Sequence, residues 1–198
     1  MKQCEKQLRK SKIMRRRLNR ELVIAQAVVM ADTAEDVTAV SLTALARALE
    51  IRPPSLYNHI AGLEDLQKGM AAYGLQQLIT DLRQASLSLI GVEALMAMSN
   101  AYRQFAQNHP GIYPLTVNAQ EGDESDLAAL SAELVQMLLL VMASIGLQGD
   151  DAVHAIRGLR AILHGFVSLE RAGGFKIPLD QEETFRRLID TYLDGLIN

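Results

Sequence analysis

Between residues 41 and 60 the chain reads SLTALARALEIRPPSLYNHI, and within it Thr43, Arg52, Ser55, Tyr57, Asn58 and His59 supply the groups that double-stranded DNA asks for. An arginine fork matches guanine, an asparagine amide matches adenine, and tyrosine and serine hydroxyls suit phosphate oxygens. Ser41 stands where a helix would be N-capped, and Pro53 with Pro54 suits the first turn of another, where a missing N–H costs nothing. The spacing is that of two short helices joined by a tight turn, a helix-turn-helix. The same residue types also occur on any solvated helix hairpin, so this segment alone leaves both readings open.

Other chemistries find little in the chain. It has no Gly-rich phosphate loop, no nucleophile elbow and no metal-spaced group of His, Cys, Asp and Glu; His154 and His164 stand ten apart. The expectation is a protein without catalysis, cofactor or metal. A single cysteine, Cys4, excludes an internal disulfide framework and fits a cytoplasmic location. The apolar charge-free run of residues 134–149 is shorter than the roughly 20 apolar residues of a membrane span, so no membrane partner is expected. A basic start precedes LVIAQAVVMA at residues 22–31, but Glu21 and Gln26 interrupt it, which favours a helix over a cleaved signal.

The net charge of −3 is unevenly spread. Residues 1–20 carry nine Lys or Arg against Glu5, a local +8 that leaves −11 on the remainder. Such a split fits an arm for a polyanion, with Arg16 and Arg17 leading into the first helix, and equally fits a solvated leader.

The elements that must position the polar cluster follow from helical periodicity, and no stretch sustains strand-like alternation. The chain is expected to be all-α, with about nine helices. Asn19 caps a first helix that ends in TAED after Asp32. Leu42, Leu45, Ala46 and Leu49 face inward from a second, and Leu56 and Ile60 anchor a third. A long helix spans residues 63–89, another runs to Asn108, and a very apolar one centred on residues 137–143 is expected at the centre of a bundle. Two amphipathic helices close the chain, the last opening on a capping box of Asp180 and Glu183. Residues 1–16 form a basic arm, 17–62 a helix-turn-helix domain and 63–198 a helical domain.

The segment 41–60, followed by AGLEDL, resembles the DNA-binding domain of the tetracycline-repressor (TetR) family, whose signature ends in Leu-Tyr-x-His. NHPGIYPLT, LHGFVSLERAGGF and FRRLIDTYLDGL resemble the C-terminal domain of a subgroup named for a Trp-His-Gly motif. The resemblance departs at Glu50, where the family's turn usually has Gly. It departs again at Leu63, where many members carry a Lys for phosphate, and before His164-Gly165, where Trp is absent. It implies a homodimer on a near-palindromic operator, with Ile156, Leu159, Leu163, Phe166, Phe185, Leu188, Ile189 and Tyr192 between subunits. It also implies a small-molecule effector among Met96, Tyr102, Phe105, Tyr113, Met137, Met142 and His164. The expected function is a repressor that releases DNA on binding that effector; the alternative is a helical ligand-binding or interaction protein without sequence-specific DNA binding.

Overall fold

The computed structural model describes residues 18–117 and 126–197, so the basic arm, Arg16 and Arg17 included, lies outside the described residues. Among the described residues there are eight α-helices, two 3-10 helices and no strand. The α-helices are α1 (Arg20–Ala34), α2 (Leu42–Ala48), α3 (Leu63–Ala85), α4 (Gly91–Asn108), α5 (Tyr113–Val117), α6 (Asp126–Ala143), α7 (Gly149–Arg171) and α8 (Gln181–Ile197). Short 3-10 turns fill Val37–Ala39 and Pro53–Asn58.

Local chemistry sets the helix ends. The Asn19 side chain accepts from the Leu22 N–H at 2.9 Å, and Ser41 Oγ accepts from the Ala44 N–H at 3.2 Å, each satisfying a donor that the first turn leaves orphaned. Asp180 accepts from the Glu182 N–H at 2.9 Å, but the reciprocal half of the expected capping box does not form. Glu183 turns instead to Arg186 and Arg187, which together hold its carboxyl at about 2.

The chain divides into two compact units: one holds the residues up to Leu75 with His109–Leu127, the other Gln76–Asn108 with the residues from Ala128 onward. The first unit therefore extends beyond residue 62, taking in the start of α3 and a segment from the middle of the chain. Its core gathers Val23, Ala27, Leu45, Leu56, Leu66 and Met70, and Ile112 from the returning segment joins them at 0% exposure. Gly111 makes that return feasible, since a Cβ there would lie 2.1 Å from the carbonyl of Ala31. Asp32 then fixes it. One carboxylate oxygen accepts the N–H groups of Gly111 and Ile112 at 3.0 and 3.2 Å, and the other lies 2.8 Å from His109 Nδ1.

In the second unit α4 packs against α7 and α8. The expectation for α6 needs correction: of its apolar side chains only Leu127 and Met142 are buried, while Val135 and Leu140 are 43% and 73% exposed. High hydrophobicity means that a face seeks cover, not that the same subunit supplies it. With 18 residues, α6 is long and apolar enough to cross a membrane by length and composition alone, a test that an apolar helix of a soluble protein also passes.

Candidate nucleic-acid interface

The helix-turn-helix is built around two buried anchors. Leu56 and Ile60, four residues apart, are 0% and 2% exposed and fasten the second element to the core. The residues between and beside them turn outward. Tyr57 is 59% exposed; Asn58, Arg52 and Pro53 are exposed; Ser55 and His59 are half-buried. On α2 Ser41 and Thr43 are exposed, with Arg47 in the last turn. The expected polar side chains thus share one small element pair, and the apolar ones alone face inward.

That second element is a 3-10 helix, tighter than the α-helix the sequence led one to expect. Prolines at both opening positions leave few N–H groups for i−4 bonding, and Arg52 adopts the extended conformation that a following proline demands. The turn before it is made by Glu50, which sits in the left-handed region at φ 55°. The N–H groups of Glu50 and Ile51 close the end of α2 on the carbonyls of Arg47 and Ala46 at 3.1 and 2.9 Å.

An ion pair holds the far end. Asp65, in the first turn of α3, takes Arg20 in a two-pronged contact at 2.6 and 2.7 Å and accepts the Ala61 N–H at 2.8 Å. The same guanidinium donates to the carbonyl of His59 at 3.3 Å. Chiefly through the Arg20 hydrogen bonds, the Asp65 carboxyl is held at about 2. Arg20, counted by sequence among the free cations near the arm, therefore serves as a clamp. Sequence shows charge but not partner, and Asp65 lies 45 residues away. Within residues 41–68, Lys68 pairs with Glu64 at 2.7 Å, and Arg47 and Arg52 are exposed cations without an ion pair. Leu63, 42% exposed, opens α3 where a cation was sought.

Residues 95–192 match the tetracyclin repressor-like C-terminal domain. The chain is also 32% identical over 181 residues to the HTH-type transcriptional regulator YobS of Bacillus subtilis, covering 91% of this chain and 93% of that one. The chain belongs to the TetR family. Solved TetR-like structures share its fold. BioQ with its double-stranded DNA operator is 22% identical with a TM-score of 0.66, over 91% of this chain and 99% of that one. The TetR family protein ActR of Streptomyces coelicolor in complex with (S)-DNPA is 16% identical with a TM-score of 0.64, over 91% of this chain and 98% of that one.

Within this TetR-family chain, the residues expected between subunits fall into two sets. Leu159, Leu163, Phe166, Phe185 and Ile189 are buried inside the subunit, with the Phe166 and Phe185 ring centroids 4.9 Å apart. Leu188 is 38% exposed, Ile156 and Tyr192 are half-buried, and Leu188 and Tyr192 line a groove of about 330 Å³ with Ile162 and Leu196. Tyr192 reaches over Gly158 to donate its hydroxyl to the Ala155 carbonyl at 2.7 Å. The periodicity was legible, but a single stripe served the internal core first.

The expected effector residues are also divided. Tyr113 is buried in the first unit, while Tyr102, Phe105 and Met142 are buried in the second. Met96 and Met137 are half-buried, and His164 is on an exposed position of α7. Sequence reasoning missed Arg103, which is 7% exposed with its guanidinium over the rings of Phe166 and Phe185. Its guanidinium bonds Glu170 and Glu182 at 2.6 Å each, and the Glu170 contact leads in raising its pKa. A lone Arg in an otherwise amphipathic helix was the available signal.

Proposed function

We propose that the chain is a homodimeric transcriptional repressor that releases a near-palindromic operator when a small molecule binds its second unit. One observation carries the reading: a short element anchored by Leu56 and Ile60 presents Arg52, Tyr57 and Asn58 outward while Arg20 and Asp65 fix its exit. Preset backbone with exposed donors and acceptors is what major-groove readout needs. Ser41, Thr43, Pro53, Ser55 and His59 complete the proposed contact surface, and the arm with Arg16 and Arg17 adds phosphate contacts. The BioQ–operator and ActR–(S)-DNPA structures support the two halves of the mechanism on the same fold. Effector binding would favour a form in which two recognition elements are wrongly spaced, and operator affinity falls by the difference in effector affinity between forms. Location in the cytoplasm and the absence of catalysis follow from that role. A second reading, a helical binding protein without DNA specificity, draws on Leu63 in place of a cation.

Binding to the intergenic DNA upstream of its gene, at two salt concentrations, tests the proposal. A specific complex whose affinity falls steeply with salt is expected; equal affinity for random DNA would favour the second reading. Tyr57→Ala and His59→Ala should each abolish operator binding while leaving the dimer intact in sedimentation. Normal binding by both variants would refute the proposed recognition element.

A further inference from the structure

Positive charge is scarce in the part of the chain that carries the recognition element. Residues 18–75 hold four Lys or Arg against seven Asp or Glu, a local −3 that repels a polyanion. Two of those four cations are engaged: Arg20 lies in the two-pronged contact with Asp65, and Lys68 pairs with Glu64 at 2.7 Å. The other two, Arg47 and Arg52, are exposed and stand on either side of the turn between α2 and the recognition element. Arg52 leads directly into that element and belongs to the contact surface proposed above. Arg47 is not among those residues.

Its place on α2 supplies a role. Leu45, Ala46 and Leu49 are buried, and the exposed Thr43 and Arg47, four residues apart, share an outward face of the same helix. In a helix-turn-helix the first helix crosses the phosphate backbone while the second enters the major groove. We infer that Arg47 is a phosphate anchor, extending the Thr43 face of α2 and holding DNA by charge without regard to base sequence. The inference rests on the DNA-binding reading and adds a division of labour to it. Arg47 supplies affinity, while Tyr57 and Asn58 on the second element supply discrimination. A cation in the last turn also suits the dipole of α2. That role alone would leave the salt dependence of DNA binding untouched.

Titration of the upstream intergenic DNA and of random DNA with the full-length protein, over a series of salt concentrations, makes the test. Arg47→Gln should weaken binding to both DNAs by a common factor, about tenfold per subunit near about 0.1 M salt. It should also flatten the slope of log affinity against log salt by about 0.9 per subunit. The basic arm is the same in every variant, so the difference in slope belongs to Arg47. Arg47→Lys, which keeps the charge, should retain the wild-type slope. An unchanged slope in Arg47→Gln, a loss confined to the intergenic DNA, or a Lys variant as weak as the Gln variant overturns the inference. Wild-type protein that binds both DNAs alike would instead overturn the reading of a specific operator, and the slope difference on either DNA would still decide the role of Arg47. Wild-type protein that binds neither DNA overturns both.

Discussion

The recognition element and the α7–α8 pair display their surfaces by opposite rules. Around Leu56 and Ile60 the inward positions are few and apolar, and Arg52, Tyr57 and Asn58 face out beside the exposed prolines. On α7 and α8 a broad apolar stripe is mostly consumed inside the subunit, while its edge, with Leu188 and part of Tyr192, stays accessible, as do Leu169 and Ile197. A surface that reads DNA differs in chemistry from a core, so residue type and position agree about its direction. A surface that joins two subunits shares the chemistry of a core, and only exposure tells the two apart.

The largest effect should come from Phe185→Ala. Phe185 is fully buried against Phe166 and under Arg103, so truncation should destabilise the fold by about 3–5 kcal/mol in urea unfolding. Leu188→Asp, one turn away on the exposed side, should instead weaken self-association by at least about tenfold in sedimentation and change unfolding by less than about 0.5 kcal/mol. Equal loss of stability in both variants would erase the distinction between the two sets of stripe residues.

Smaller effects probe the other region. With its carboxyl held at about 2, Asp65 contributes stability that is complete above the ordinary Asp range near pH 4 and is lost as pH falls through about 2. Because Arg20 and Asp65 are 44% and 31% exposed, about 1 kcal/mol is the expected size after solvent screening. Asp65→Asn should remove it at neutral pH and flatten the acid limb of a urea-midpoint profile between pH 5 and 2. The smallest change is Glu50→Gly. Relief of the left-handed strain at φ 55° should raise stability by about 0.5 kcal/mol with operator affinity nearly unchanged. A loss of stability would mean that the Glu50 side chain matters more than its backbone.

What the sequence made legible were features that close within a few residues. Asn19 and Ser41 act as caps and Pro53 opens the second element of the hairpin, as spacing and residue type require, while Glu50 takes the left-handed turn at the position that the family resemblance marked. What stayed hidden joins distant positions. Arg20 with Asp65, Asp32 with His109 and Arg103 with Glu170 are separated by 45, 77 and 67 residues, and no periodicity connects them. The exposure of α6 was hidden for a different reason: an apolar sequence states a demand for cover and is silent about its source. The proposed contact residues were therefore easier to place than the clamp that steadies them.

The return of His109–Leu127 to the first unit bears on how this regulator can be taken apart. A cassette ending at Leu75 would include every residue of the helix-turn-helix yet leave a hole where Ile112 fills the core, and strip Asp32 of its three partners. Grafting the DNA-binding half onto another receptor, or recombining it in evolution, therefore requires three crossovers rather than one. The reading head is contiguous in sequence, but the foundation it stands on is not.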